Sequence, residues 1–273
     1  MSETNFTTET LTLASGRDQV IHRAGDGPPL LWLHGVFGFD ASDPLVQALT
    51  ETYDVVAPVS PGFADTSELV DLMDVHDLAQ HYDDILVALG ISSLAVVGHS
   101  FGAMVGAELA TRRQDAVASL TLLSPIGLWN DEYPVTDLFA LPYVDMPGLL
   151  YLDPSKASGE ADTTTLDGNV EKLVTLAQAL TSVAKFLWPI PDRRLRTRLY
   201  RIVAPTLVVF GEEDAFVPPR YADDFLAGLP DGSSATVSGA GHMLQLEQPD
   251  EAIRVVTDFL EQHAPAQLDA ASS

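Results

Sequence analysis

Short, continuous apolar runs recur along this chain, and glycine or proline closes most of them. They are PLLWL at 29–33, YDVVAP at 53–58, LAVVG at 94–98, SLTLLSP at 119–125 and TLVVFG at 206–211. Runs of this length and composition are typical of strands that are buried on both faces of a sheet. Two further strands, LTL and QVI between Glu9 and Arg23, are predicted to form an antiparallel hairpin.

Helical periodicity separates these strands. Between Val75 and Leu89 apolar residues recur at spacings of three and four, and Gly90 ends the run. Parallel strands need crossover connections, and these are usually helices. The alternation therefore predicts a mostly parallel sheet with helices on both faces. Active sites in such sheets lie beyond the carboxyl ends of the strands.

The alternation lapses between 127 and 201, where proline, leucine and aromatic residues are frequent. We interpret this segment as a helical cap inserted into one catalytic domain, which a chain of 273 residues can accommodate. The predicted division is a first part of the core at 1–126, the cap at 127–201 and the second part of the core at 202–273. The polar tail from Ala264 is predicted to fray.

The chain is strongly acidic, with 39 Asp and Glu against 14 Lys and Arg and a formal net charge of -25. Nucleic acids and anionic membrane surfaces are therefore not expected partners, because both would be repelled. The absence of cysteine excludes disulfides, zinc-thiolate sites and a cysteine nucleophile. No segment resembles a signal peptide or a membrane span, so we expect a cytoplasmic protein. We expect this protein to be a monomer or a homodimer.

The segment Gly98-His99-Ser100-Phe101-Gly102 carries the strongest chemical signal. It directly follows the run LAVVG and opens the helical run AMVGAELATRR. In a G-x-S-x-G turn of this kind the serine is exposed at the end of the sheet, and side chains in place of the glycines would collide with neighbouring backbone. The alternative is that Ser100 only caps a helix, which this strand, turn and helix context disfavours.

A serine hydroxyl needs a base, and the base needs a carboxylate that fixes its tautomer. His242 lies in the glycine-rich loop SGAGHMLQLEQP, and Asp214 follows the strand TLVVFG. Glu212 and Glu213 are the rivals of Asp214, but both are expected to face solvent. The order serine, aspartate, histidine along the chain is typical of one hydrolase fold. We therefore predict Ser100, His242 and Asp214 as the catalytic residues.

The attacked carbonyl develops negative charge, which fixed backbone N–H groups can stabilise. One predicted donor is Phe101, the residue after the nucleophile. The other is Val36, in the HGVFG segment that follows the strand PLLWL. His34 and Gly35 are expected to shape that loop.

Taken together, His34-Gly35, the GHSFG segment, Asp214 and Gly241-His242 resemble the α/β-hydrolase superfamily over nearly the whole chain. The resemblance implies an eight-stranded, mostly parallel sheet with one antiparallel strand near its start and a helical cap after the sixth strand. Haloalkane dehalogenases and epoxide hydrolases are similar but use aspartate at the turn, so those activities are rejected.

The resulting hypothesis is a serine hydrolase that cleaves small to medium carboxylic esters through an acyl-enzyme on Ser100, with no metal or organic cofactor. A C–C bond hydrolase of the meta-cleavage-product type, or a perhydrolase, could use the same triad. A hydrolase-fold protein that only binds a ligand is the alternative from another class. The predicted substrate pocket consists of Phe37, Trp129, Phe139, Trp188 and Met243.

Two further patterns are open to more than one interpretation. The four-residue spacing of Asp77 and His81 could chelate a metal, but a solvated acidic helix face is favoured. An arginine cluster gathers more than a third of the positive charge: it comprises Arg193, Arg194, Arg196, Arg198 and Arg201. One of these could enter the cap cavity and bind a substrate carboxylate, although ion pairs with acidic surface groups are favoured.

Overall fold

The computed structural model describes residues 4–158, 162, 169–187 and 193–263. The tail from Ala264, for which the sequence predicts fraying, lies outside the described residues. The same holds for Trp188, one of the predicted pocket residues.

One sheet of eight strands forms the centre of the protein. Its strands are β1 (Thr7–Thr12), β2 (Asp18–Ala24), β3 (Pro29–Leu33), β4 (Asp54–Pro58), β5 (Leu94–His99), β6 (Val117–Leu123), β7 (Thr206–Gly211) and β8 (Gly232–Val237). Their spatial order is β1-β2-β4-β3-β5-β6-β7-β8. Only β2 runs against its neighbours β1 and β4, and all other pairs are parallel. The predicted α/β-hydrolase fold is thereby confirmed.

Eight α-helices accompany the sheet in the described part of the chain. They are α1 (Pro44–Leu49), α2 (Val75–Leu89), α3 (Phe101–Arg112), α4 (Met146–Leu150), α5 (Val170–Leu187), α6 (Tyr221–Leu226), α7 (Leu244–Glu247) and α8 (Pro249–Gln262). The predicted helix over Val75–Leu89 has these bounds: the Asp74 carboxylate caps its first turn, and Gly90 ends it with a positive φ of 67°. Within the described ranges, every helix is too short or too polar to span a bilayer.

The apolar strands are buried on both faces because helices cover both sides of the sheet. Along β3, Leu31 and Leu33 pack into the cluster formed with α2 and α3, whereas Leu30 and Trp32 pack into the cluster formed with α1 and α8. This alternation follows from the two-residue period of a strand. It explains why the central strands appear in the sequence as uninterrupted apolar runs.

Strand β8 is the one strand that the sequence analysis did not identify. Its sequence is GSSATV, and most of its side chains are exposed at the edge of the sheet. An edge strand of small polar residues carries neither an apolar run nor a clear alternation, so only its pairing with β7 defines it.

The segment between β6 and β7 contains helices but no strand in its described residues. Besides α4 and α5 it has short 3-10 turns at Leu138–Ala140, Tyr143–Asp145, Pro154–Lys156, Leu195–Thr197 and Leu199–Arg201. A cap at 127–201 is compatible with this arrangement, and the boundaries of the three parts stay a prediction.

The turn from β5 into α3 is tight and strained at Ser100. Ser100 has φ 54° and ψ -112°, in a region that side chains disfavour, and its side chain makes no capping hydrogen bond to α3. A Cβ atom on Gly102 would lie 2.0 Å from the Leu33 carbonyl oxygen, and one on Gly98 would lie 2.6 Å from the Gly102 carbonyl oxygen. Both glycines are thus required by the close approach of α3 to the sheet.

His81 of α2 faces inward rather than into solvent. Its Nε2 lies 2.6 Å from the Gln19 Oε1 of β2, while Asp77 accepts a hydrogen bond from the Met73 backbone N–H. The two side chains therefore have separate structural contacts. Burial lowers the pKa of the His81 imidazole to about 4.

The strain at Ser100 predicts that Ser100→Gly is more stable than Ser100→Ala. Both substitutions remove the hydroxyl, but only glycine adopts this backbone conformation without a steric cost. We expect a difference of about 1 kcal/mol, or roughly 2 °C in melting temperature for a chain of this size. Thermal unfolding by circular dichroism measures it. Equal melting temperatures, or a higher value for the alanine variant, would show that the turn is not strained.

The buried His81 predicts a loss of stability in acid. Its pKa is lowered in the folded state, so the unfolded chain binds the proton more tightly, and stability falls as the pH drops from about 6.5 towards 4. The decrease in melting temperature between pH 7 and pH 5 should therefore be smaller in His81→Gln than in the wild type. His76→Gln, on the same helix but partly exposed, is the control. An unchanged decrease in His81→Gln would contradict the assignment.

Candidate active site

Ser100, His242 and Asp214 come together beyond the carboxyl ends of the parallel strands. Ser100 follows β5, Asp214 lies in the loop after β7, and His242 lies between β8 and α7. The His242 Nε2 is 2.8 Å from the Ser100 Oγ, and its Nδ1 is 2.8 Å from the Asp214 Oδ2. All three residues are buried. These three hydrogen-bonded side chains can move a proton from the hydroxyl to the imidazole, while the carboxylate stabilises the imidazolium cation that forms.

Asp214 is held by its own loop. Its Oδ1 accepts hydrogen bonds from the backbone N–H groups of Phe216 at 3.0 Å and Val217 at 2.9 Å, which leaves Oδ2 for His242. The rivals Glu212 and Glu213 are both exposed. The preference for Asp214 over these glutamates therefore agrees with the geometry.

The loop that carries His242 is fixed through Glu247 to the segment between β6 and β7. The buried Glu247 carboxylate accepts hydrogen bonds from the backbone N–H groups of Gly241 at 2.7 Å, Leu152 at 3.2 Å and Asp153 at 3.1 Å. These three donors belong to two segments about 90 residues apart in sequence. One buried carboxylate thus joins the histidine loop to the chain after α4.

His99 contacts the loop that carries His242. Its Nε2 donates a hydrogen bond to the His242 carbonyl oxygen at 3.0 Å, and burial lowers its pKa to about 3, so the ring is neutral. A Cβ atom on Gly35 would lie 2.8 Å from the His99 Nδ1. His99 therefore contacts both the histidine loop and the loop after β3, which fits a supporting role.

The loop after β3 is held by His34. Its Nδ1 donates to the Gly35 carbonyl oxygen at 2.8 Å, and its Nε2 accepts from the Ser60 backbone N–H at 3.0 Å. Burial lowers the pKa of His34 to about 4, which keeps the ring neutral and preserves its accepting nitrogen. In the described part of the chain, no residue accepts a hydrogen bond from the backbone N–H of Val36 or Phe101. Both donors are available to a developing oxyanion.

Two cavities meet at Ser100. Val36, Ser100 and Phe216 line both of them. The larger has a volume of about 490 Å³ and extends past His242 towards the loop before α1. The smaller has about 40 Å³ and lies between Phe101 and apolar residues of the segment between β6 and β7.

The predicted pocket residues fall in different places. Phe37 and Met243 line the larger cavity, and Phe139 lines the smaller one. Trp129 lines neither cavity: its indole N–H donates to the Asp131 carboxylate at 2.8 Å, which corrects its placement in the pocket. Trp188 lies outside the described residues.

Several residues at the site were not predicted from the sequence. The Phe216 ring packs edge-on against the His242 imidazole, with 4.7 Å between ring centroids. Asp43, Gln245 and Leu150 line the larger cavity. The apolar turn after Asp214 pointed towards Phe216, but no local pattern marks the other three, because only the fold brings them to the site.

The arginine cluster has mixed roles. Arg198 forms a two-pronged ion pair with the buried Glu108 of α3, at 2.5 and 2.9 Å, and Arg196 lies 3.0 Å from Asp224. Arg201 donates to the Thr111 carbonyl oxygen at 3.1 Å. These contacts agree with the favoured ion-pair interpretation. Arg193 differs, since it lines the smaller cavity beside Ser100.

Comparison with known proteins places these features in a family. The family model described as "Alpha/beta hydrolase family" matches residues 30–255. The chain is 29% identical over 264 residues to a 2-hydroxy-6-oxononadienedioate/2-hydroxy-6-oxononatrienedioate hydrolase 2 from Pseudomonas putida, with 91% of this chain and 90% of the relative covered.

Solved structures show the same fold. A membrane phospholipase A superposes with a TM-score of 0.79 at 21% identity, with 96% of this chain and 87% of that chain covered. The naproxen esterase of Bacillus subtilis superposes with a TM-score of 0.69 at 20% identity, covering 94% and 92%. Given the extent of the family match, these findings favour an enzyme over a protein that only binds a ligand. The chain belongs to the α/β-hydrolase family and is a hydrolase.

Proposed function

We propose that this protein is a serine hydrolase that cleaves small carboxylic esters through an acyl-enzyme on Ser100. The observation that carries the proposal is the continuous hydrogen-bonded chain from the Ser100 hydroxyl through His242 to Asp214, at 2.8 Å for each link. It lies where two cavities meet. A hydroxyl at such a junction can attack a carbonyl whose two substituents extend in different directions.

The first step forms the acyl-enzyme. The Ser100 Oγ attacks the ester carbonyl carbon while its proton passes to the His242 Nε2, and the carbonyl oxygen takes the negative charge. The N–H groups of Val36 and Phe101 stabilise that oxygen. The bond to the alcohol oxygen then breaks, and His242 returns the proton to the leaving alkoxide.

The second step releases the acid. A water molecule gives a proton to the His242 Nε2 and attacks the acyl carbon. The bond to the Ser100 Oγ breaks, and this oxygen takes the proton back from His242. No redox partner or metal is needed for the atoms and charges to balance. Asp214 stays ionised throughout and keeps the imidazole in the tautomer that accepts at Nε2.

A second candidate, hydrolysis of a C–C bond, is favoured by the position of Arg193. This arginine lines the otherwise apolar cavity next to Ser100. Its backbone carbonyl accepts a hydrogen bond from Arg198 at 2.8 Å, and Arg198 in turn is paired with the buried Glu108. These contacts hold the backbone of Arg193, and its guanidinium could bind the carboxylate of a ring-cleavage dienoate. The relative from Pseudomonas putida is named as a hydrolase of 2-hydroxy-6-oxononadienedioate and 2-hydroxy-6-oxononatrienedioate.

The ester proposal predicts that Ser100→Ala abolishes turnover. We expect kcat/KM for p-nitrophenyl acetate and butyrate to fall by at least about 1,000-fold, because removing the nucleophile of a triad has effects of that order or more. In the wild type, turnover should decline for long acyl chains if the acyl group occupies the smaller cavity, which has only about 40 Å³. The absorbance of released p-nitrophenolate measures both effects.

Ser67→Ala is the matched control, because Ser67 is exposed and lines neither cavity at the site. It should keep wild-type kinetics. Turnover retained in Ser100→Ala would contradict the nucleophile assignment.

The two candidate functions predict different effects of Arg193→Met. If the chain cleaves a dienoate, kcat/KM for that substrate should fall by about 10- to 100-fold relative to kcat/KM for p-nitrophenyl acetate, because a charged hydrogen bond to the carboxylate is lost. Arg194→Met, at the exposed neighbouring residue, is the control. The decay of dienoate absorbance provides the rates. No turnover of the dienoate by the wild type would exclude the second candidate.

A further inference from the structure

The larger cavity has a polar end that the ester mechanism does not use. Besides Ser100, His242 and apolar residues, its lining includes Asp40, Ser42, Asp43 and Gln245. Among the described residues, none that lines this cavity is a lysine or an arginine. The smaller cavity, by contrast, is lined almost entirely by apolar side chains. The two substituents of a bound ester therefore meet different chemistry.

The position of His242 decides which substituent enters which cavity. The proton held on the His242 Nε2 must reach the leaving alcohol oxygen, so the alcohol has to lie beside this ring. His242 lines the larger cavity but not the smaller one. The alcohol part of the substrate therefore extends into the larger cavity, and the acyl part enters the small apolar cavity next to Phe101.

The side-chain oxygen of Gln245, at the polar end of the larger cavity, is a hydrogen-bond acceptor without a donor among the described residues. The residue is 2% exposed, and its side-chain amide lies against the Asp43 carboxyl group. Its Oε1 has no hydrogen-bond partner among the described residues. A buried acceptor without a donor is costly, so a ligand that supplies a donor gains from binding here.

Asp43 also has a structural role. That role does not explain why the Gln245 Oε1 is left without a hydrogen-bond partner among the described residues. Its Oδ1 caps α1 by accepting from the backbone N–H groups of Leu45 at 2.9 Å and Val46 at 3.3 Å. Despite these donors, burial raises the pKa of the Asp43 carboxyl to about 7, so its ionised form is poorly solvated. A further donor from a ligand would stabilise that form.

We propose that Asp43 and Gln245 form a subsite for a hydroxyl group on the leaving alcohol, so that short-chain esters of polyols are preferred over esters of simple alcohols. This inference rests on the proposed ester hydrolysis at Ser100 and adds the substrate class. A polyol fits because one hydroxyl can donate to the Gln245 Oε1 and a second to the Asp43 carboxylate. An anionic substituent would meet Asp40 and Asp43, with no lysine or arginine among the described residues that line the cavity.

The test compares two butyrate esters that differ only in hydroxyl groups, glycerol 1-monobutyrate and propyl butyrate. The readout is the ratio of their kcat/KM values, measured by pH-stat titration of released butyrate. The shared acyl group and the shared triad cancel in this ratio. We expect the wild type to prefer the glycerol ester by about tenfold, and Gln245→Met to lower the ratio by about 5- to 10-fold, as one or two hydrogen bonds are lost.

A second variant, Asp43→Asn, keeps a residue that caps helices well and removes only the charge. It should lower the same ratio, and it tests the subsite even if Gln245→Met fails to fold. Gln262→Met makes the same chemical change on α8, at a residue that does not line the cavity, and should leave both kcat/KM values at the wild-type level.

The outcomes separate this inference from the proposed function. A wild-type ratio near one, or variants that lower kcat/KM for both esters equally, would overturn the subsite while ester hydrolysis stands. Absence of Ser100-dependent turnover of either ester, and of the p-nitrophenyl esters as well, would overturn both. A ratio that falls in both variants and is unchanged in Gln262→Met supports the subsite.

Discussion

The hydrogen-bonded chain from Asp214 through His242 to Ser100 is the interaction on which the rest of the site depends. Its members lie in three loops, and each loop follows a different strand. Two links of 2.8 Å can persist only if those loops are held within a few tenths of an ångström of one another. The parallel register of β5, β6, β7 and β8 brings the loops to one edge of the sheet. Buried side chains then fix each loop in place.

These supporting contacts explain why so many polar residues are buried near the site. Glu247 ties the histidine loop to the chain after α4, His99 holds the His242 carbonyl, and His34 holds the loop that carries Val36. Each polar group is paired with backbone, which lowers the cost of burying it. The segment between β6 and β7 is anchored by a side-chain ion pair, that of Arg198 with Glu108 on the helix that follows Ser100.

The two cavities make the site asymmetric, because their linings differ on the two sides of Ser100. Because His242 lines only the larger one, protonation of a leaving group and the polar lining at Asp43 and Gln245 lie on the same side of Ser100. The apolar lining near Phe101 lies on the other side, together with Arg193. In the proposed mechanism, the two ends of the substrate therefore meet different surroundings. The two candidate reactions differ mainly in what each end carries, and the proton transfers at His242 are common to both.

The sequence by itself predicted seven of the eight strands and the three residues of the hydrogen-bonded chain. The apolar runs mark β3 to β7 because burial on both faces requires continuous hydrophobicity, and the glycines around Ser100 mark the turn because no side chain fits there. Only the tertiary structure decided the rest. Strand β8 is defined by pairing alone, and Trp129 turns to Asp131 instead of the pocket. Asp43 and Gln245 are distant in sequence and meet only through the packing of α1 and α7. Local sequence patterns indicate which residues are buried and where the backbone turns. The residues that line a cavity depend instead on how separate elements pack.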